Sequence, residues 1–512
     1  MAGTAARQGK PLARGCWTDA GIIALATVAL RIWWVGNPHI HVDEEFYLLV
    51  GGRMLDGALP YIDIWDRKPF GLFLIYAVAA LFGDGVAAYQ LMAMLFTFGT
   101  AMLVYGMSRR FADRPTAILA AVAYGLLLNL FEGMGGQAPV FYNLFVTAAA
   151  AIAMSLFLDR DGLSRGRLLL RGAALMLLMG IAIQIKYAAI GEAVFFGLFL
   201  QWLAWRRWGL GLAIGGGLLW AAMGLGPSIL IWLYYVWLGA GDIFVYANIT
   251  STLDRGSDPL KWVVGRFISI VRVLAIPAVI GLWGAFTRGP DGTKPVRTDI
   301  FRFAAFWNAA AWSSFLAFGT YFPHYALSLA APTALLFAFA SGNWLKLRAA
   351  VVVIGALISL DTVRHDVGGG GGGKVITDTL AAMGPSPNCP YMYEGSPMLY
   401  HLGGYCLPSR YPFPYHLTIV REHDALGIDP DRELARILSR NPYYIVARFP
   451  FSEEHNPKSD RLLSDVLKAR YTPVMSTRQW KLYDVTLFRL KPQFRPLPNG
   501  ADYSGVPPIR GR

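Results

Sequence analysis

The feature that most constrains this chain is a succession of apolar runs, each near bilayer-crossing length, divided by short loops in which arginines and lysines cluster. A spanning helix needs about 20 mostly apolar residues. By that measure the first run is Asp19 to Val35, and later ones cover 86–107, 116–131, 140–158, 168–185, 188–205, 210–238, 263–286, 301–318, 325–340 and 349–360. The expected architecture is therefore mainly α and polytopic, with about eleven spans. Composition agrees, because 15% of the 512 residues are charged and 55% hydrophobic, whereas a soluble protein carries roughly a quarter charged residues. A formal charge of +13 then has to be sorted by membrane side before it means anything, and no nucleic-acid partner is expected.

Arg7, Lys10 and Arg14 precede the first run, which lacks a small-residue cleavage site and ends in Arg31-Ile32-Trp33-Trp34. That reads as an uncleaved first span with a cytoplasmic N-terminus. The run 70–82 is short, and if it crossed, Arg109, Arg110 and Arg114 would fall on the outer side. An interfacial or half-inserted helix is expected there instead. With that choice each even-numbered span ends near a basic cluster, and the C-terminus is expected outside. From Asp361 the composition changes. The expected layout is a membrane domain over 1–361 with an outer loop at 37–70, a Gly-rich linker over 362–374, a small α/β domain over 375–495 and a disordered tail over 496–512. Helices are expected at 431–439 and 459–469, and strands at 441–447 and 480–490. Cys389 and Cys406 can pair if that domain is extracytoplasmic.

The chemistry is expected in Asn37 to Phe70, where acids and bases gather between lipid-facing segments. Asp43, Glu44 and Glu45 are adjacent, so on a helix at most two can point into one cavity. A carboxylate held there between membrane and protein is expected to have a raised pKa and to accept a proton from an attacking hydroxyl; equally, the three acids can cap a helix beginning near Phe46. In Asp66-Arg67-Lys68-Pro69, the two cations can hold a phosphate or snorkel toward headgroups. Lys186 sits between two spans as an anion contact or an interfacial anchor. Arg266 and Arg272 mark a cavity or the wet face of an interfacial helix. His324-Tyr325 opens the expected tenth span, and Asn129, Glu132, Gln137 and Asn143 surround a turn with groups suited to a sugar. The acids can chelate Mg²⁺ or Mn²⁺. No Walker A sequence, HExxH or zinc-ligand pair with the usual spacing is present, which removes the strongest signatures of nucleotide chemistry and zinc hydrolysis.

Taken in order, the apolar first helix, Asp43-Glu44-Glu45-Phe46-Tyr47, Gly57-Ala58-Leu59-Pro60-Tyr61-Ile62-Asp63-Ile64-Trp65-Asp66, Lys68-Pro69, Gly71, and Phe322-Pro323-His324-Tyr325 with Pro332 resemble the bacterial branch of the dolichyl-phosphate-mannose protein mannosyltransferase family. That branch includes the lipid A aminoarabinose and galacturonic acid transferases, and the resemblance covers about residues 17–360. It implies the GT-C fold, a bacterial inner-membrane location with a periplasmic C-terminal domain, and inverting transfer of a sugar from a polyprenyl phosphate to an envelope glycolipid, glycan or protein. By position it implies that Asp43 activates the acceptor, Glu44 supports it and Lys68 contacts the donor phosphate. Arg67, Arg266 or Arg272, His324, Tyr325 and Lys186 are the further candidates for the phosphate site. Where relatives often carry Glu or His before Lys-Pro-Pro, this chain has Arg67, and Phe70 replaces the second proline. Two alternatives stand beside this reading: a transporter or flippase of lipid-linked solutes, and a ligase using a diphosphate-linked glycan.

Overall fold

A computed structural model describes residues 13–286, 294–340, 345–366, 372–479 and 483–498. The chain opens with α1 (Ala13–Arg31), followed by α2 (Val42–Leu55) and α3 (Phe70–Ala80). The bundle continues with α4 (Val86–Ser108), α5 (Arg114–Leu130), α6 (Ala138–Leu158), α7 (Arg165–Ile185), α8 (Ile190–Trp208) and α9 (Leu210–Trp237). Two short helices, α10 (Gly241–Val245) and α11 (Ser251–Leu253), lead to α12 (Leu260–Phe286), α13 (Lys294–Ala317), α14 (Ala330–Phe337) and α15 (Leu345–Asp366). Among the described residues, 6 helices are long and apolar enough to cross a membrane: α4, α6, α7, the stretch Tyr187–Trp208, α9 and α12. The helices α1, α13 and α15, of 19, 24 and 22 residues, have the length but are not among those six.

Local chemistry sets the helix starts. Asp113 caps α5 by accepting from the Thr116 amide, with a proline in the first turn, and Ser164 caps α7 in the same way. The short helix α3 begins at Pro69, whose φ of −61° suits a helix entrance. Its 11 residues extend only about 16 Å, too short to span. Leu72, Phe73 and Tyr76 are fully buried, so α3 is anchored by packing on the bundle.

One expected span is corrected. Residues 325–340 do not form a continuous helix; Pro323–Leu329 is a 3-10 turn and α14 has only 8 residues, all buried. Such a broken segment is tolerated at membrane depth only inside protein, and α4, α5, α12 and α13 pack around it.

Beyond α15, helix α16 (Gly372–Ala382) leads to β1 (Tyr391–Tyr393), α17 (Met398–Leu402), α18 (Pro430–Ser439), β2 (Tyr444–Phe449), α19 (Pro457–Arg470), β3 (Tyr471–Gln479) and β4 (Tyr483–Leu490). The sheet order is β1-β2-β4-β3, with β1 and β2 parallel and the other pairs antiparallel. The strands expected at 441–447 and 480–490 correspond to β2 and β4, although 480–482 lie outside the described residues. Cys389 and Cys406 are disulfide-bonded, with Cα atoms 4.9 Å apart. The expected linker at 362–374 is helical at both ends, while 367–371, like residues 499–512 of the expected tail and the basic residues Arg7 and Lys10, lie outside the described residues.

Candidate functional site

The sequence around Asp43 begins a helix earlier than expected. His41 takes an extended conformation and its Nδ1 accepts a 3.2 Å hydrogen bond from the Asp43 amide, so α2 starts at Val42 and all three acids occupy its first turn. At 3.6 residues per turn, successive side chains fan outward by about 100°. Asp43 therefore lines a large cavity, Glu45 lines a smaller one, and Glu44 turns into the bundle.

The large cavity has a volume of about 1220 Å³. Its charged end is walled by Asp43, His41, Asp66, Arg67, Lys68, Lys186, Glu132, His324 and Tyr325, together with Arg255 and with Tyr415, His416, Arg421 and Glu422 from the C-terminal part. Its other end is apolar and runs between α7, α8 and α9, past Met176, Val194, Leu198, Trp220, Leu225 and Trp232. Of the residues singled out from sequence, Asp43, Arg67, Lys68, Lys186, His324 and Tyr325 meet in this one cavity. Glu44, Arg266 and Arg272 do not line it. Arg266 is held at 2.6 Å by Asp258 and 3.2 Å by Glu454, with its guanidinium 4.0 Å from the Phe322 ring centroid. Arg272 is exposed on α12.

Electrostatics at the charged end follow from burial and neighbours. Burial alone would raise the Asp43 carboxyl, but the charges of Lys68, His41, His324 and Lys186 outweigh it and hold Asp43 far below the usual carboxylate range. The His324 and His41 rings stand 3.8 and 3.9 Å from Asp43 Oδ2. Burial would lower Lys68, yet Asp66, whose Oδ2 lies 4.0 Å away, and Asp43 raise it, so the ammonium stays charged. The half-buried Lys186 places its Nζ 4.4 Å from the Tyr325 ring centroid, and desolvation with the nearby Lys68 charge lowers it to about 7. Asp43 is thus held ionised, the reverse of the raised value expected from the sequence, while burial lowers the neighbouring His324 to about 4.

Glu44 is different. Burial pushes it up to about 7. The Gly136 amide and Tyr89 favour its charge electrostatically, but among the described residues neither carboxylate oxygen has a partner in hydrogen-bond geometry. Its carboxylate lies against Gly135, where a Cβ would collide with Oε2. The same loop is pinned by Arg31, which donates to the carbonyls of Gly133 and Gly135, and by Tyr76, whose hydroxyl donates at 2.7 Å to Gly136. Glu132, held at a φ of 60°, starts that loop and faces the cavity.

His41, Glu132 and His324 offer ligand atoms that all lie within 4.8 Å of one another. Two imidazoles and one carboxylate suit Zn²⁺ or Mn²⁺ better than Mg²⁺. Because His41 Nδ1 is engaged in capping α2, its Nε2, 3.9 Å from Glu132 Oε2, is the nitrogen left to bind. The expectation from sequence is that acids can chelate Mg²⁺ or Mn²⁺; the candidate group here holds one acid and two imidazoles.

No family model matches the chain, and no curated protein matches it. Among solved structures it is similar to the archaeal oligosaccharyltransferase AglB from Archaeoglobus fulgidus in complex with an inhibitory peptide and a dolichol-phosphate, at 11% identity and a TM-score of 0.47, covering 85% of this chain and 69% of that one. It is also similar to ArnT from Cupriavidus metallidurans bound to undecaprenyl phosphate, at 14% identity and a TM-score of 0.44, covering 94% and 100%. The apo oligosaccharyltransferase of Archaeoglobus fulgidus gives 12% identity and a TM-score of 0.49 over 85% and 70%. These likenesses are distant.

Proposed function

We propose that the protein is a GT-C glycosyltransferase that moves a sugar from a polyprenyl phosphate to an acceptor hydroxyl on the periplasmic face of the inner membrane, inverting the anomeric centre. The observation that carries this reading is the continuity of one cavity from the Asp43–Lys68 end to an apolar groove between α7, α8 and α9. A prenyl chain fits the groove by its apolarity, and an anionic phosphate fits the end where Lys68, Lys186, Arg67 and Arg255 converge. Asp43 takes the proton of the acceptor hydroxyl as the new bond to the anomeric carbon forms. The bond from that carbon to the phosphate oxygen breaks, and the lipid phosphate leaves with the charge that the cations stabilise. The trio His41, Glu132 and His324 would hold a divalent metal if one is used, adding positive charge beside the acceptor oxygen.

Membranes containing the protein, supplied with a panel of labelled polyprenyl-phosphate sugars, test this. Transfer of label to envelope material should fall by about 10²–10⁴ in Asp43→Asn, with the protein still folded in detergent. Full transfer by that variant removes Asp43 from the mechanism.

A further inference from the structure

The second cavity, of about 210 Å³, lies where the start of α2 meets α16 and the C-terminal sheet. It shares His41, Val42 and Tyr415 with the large cavity, so one thin wall next to Asp43 separates the two. Its volume is roughly seven times that of a water in the liquid, which suits one sugar ring and excludes a lipid tail.

Its wall chemistry is opposite to that of the donor end. Glu45 and Glu394 supply carboxylates, and among the described residues Arg448 is the one lysine or arginine in the lining. That arginine is already bonded to Glu394. Glu45 ties the two parts of the chain together, accepting from Ser396 and bonding His39. The Glu394 side chain is 1% exposed, and its backbone sits in the left-handed region at a φ of 57°. Among the described residues, its Oε2 and the Nε of Arg448 have no hydrogen-bond partner. A buried carboxylate oxygen and a buried guanidinium N–H left unmatched are costly unless a ligand or water completes them. With no lysine or arginine to spare among the described lining residues, the pocket disfavours phosphate and carboxylate groups, and its surplus of acceptors favours hydroxyl donors.

We infer that this pocket is an acceptor subsite that takes a neutral, hydroxyl-bearing sugar unit and presents it to Asp43 past the wall formed by His41, Val42 and Tyr415. The word acceptor rests on the glycosyltransferase reading above; the binding of a neutral sugar does not.

The test uses the full chain in lipid nanodiscs and saturation-transfer NMR with methyl glucoside, methyl galactoside, methyl mannoside and a hexose phosphate as probes. At least one methyl glycoside should receive saturation from the protein, and the hexose phosphate should not compete with it. Glu394→Gln, which keeps the shape, and Val375→Phe, which fills the pocket without touching a charge, should each weaken that glycoside about tenfold, with unfolding temperature measured alongside. Absence of binding by all three glycosides, binding undiminished in both variants, or displacement by the hexose phosphate would overturn the subsite. Undecaprenyl phosphate binding, measured separately, should weaken in Lys68→Ala. Its failure to do so sinks the donor assignment and leaves the glycoside result to stand or fall by itself.

Discussion

The Glu422 carboxylate accepts a 2.7 Å hydrogen bond from Arg67 Nη1, fastening the C-terminal part of the chain to the loop that carries Lys68. Its other oxygen accepts from Arg255 Nε, also at 2.7 Å. Burial would raise this carboxyl, but Arg255 and Arg67 pull it down to about 2. The stability it contributes is therefore present above the ordinary carboxylate value and lost as pH falls toward 2. Glu422→Gln leaves two cations uncompensated and should cost about 3 kcal/mol, read as a lower unfolding temperature at neutral pH. An unchanged unfolding temperature would mean that the clamp is not what holds the two parts together.

His455 makes an opposite prediction at alkaline pH. Burial lowers its affinity for a proton, but a 3.0 Å hydrogen bond between Nδ1 and Asp460 and the Glu394 carboxylate 3.3 Å from Nε2 raise it to about 9. The folded value exceeds the unfolded one, so the contribution is complete below about 6.5 and disappears as pH rises through 9. Unfolding temperature followed across that range should decline in the parent protein and stay flatter in His455→Gln. Parallel curves for the two proteins would exclude His455 as the titrating group.

Glu44 and Gly135 form a third testable contact. Gly135→Ala drives a methyl group into the Glu44 carboxylate, an overpacking worth about 1–3 kcal/mol, and it displaces the loop that presents Glu132. Both stability and sugar transfer should fall. Because burial raises Glu44 to about 7, the folded state loses stability as pH climbs from the ordinary carboxylate range through that value. Above it, Glu44→Gln should unfold no lower than the parent. A lower unfolding temperature there would show that the charge is compensated.

Sequence made the local parts legible. Asp43, Lys68 and Arg67 stand within one loop-and-helix segment, and Lys186 and His324 are isolated polar residues in apolar surroundings, which is what marks them. Arg266 had the same signal but answers to Asp258 and Glu454, and Glu454 is 188 residues away. Asp258, eight residues before Arg266, was a visible hint, but nothing near Arg266 in the chain announces Glu454. Arg272 is exposed on α12, and from sequence a cation looks alike whether it borders a cavity or a headgroup. Arg255, His416, Arg421 and Glu422 reach the cavity through the docking of distant segments; the visible hint was Arg255 in the polar loop before α12. The break at 323–337 was hidden because an apolar run has the same hydropathy whether its backbone is one helix or a turn followed by two helical turns. Strand β3 was missed because its exposed, polar-rich alternation is weak beside that of β4.

The fan of three acids at the head of α2 has a consequence for how this segment can change. Each carboxylate serves a different compartment only because of its angular address on the helix, so sliding the helix start by a single residue would send every one of them to a neighbour's post. Insertions or deletions between Trp34 and His41 should consequently be far less tolerable than substitutions there, even though none of residues 35–40 lines the cavity that holds Asp43 and Lys68.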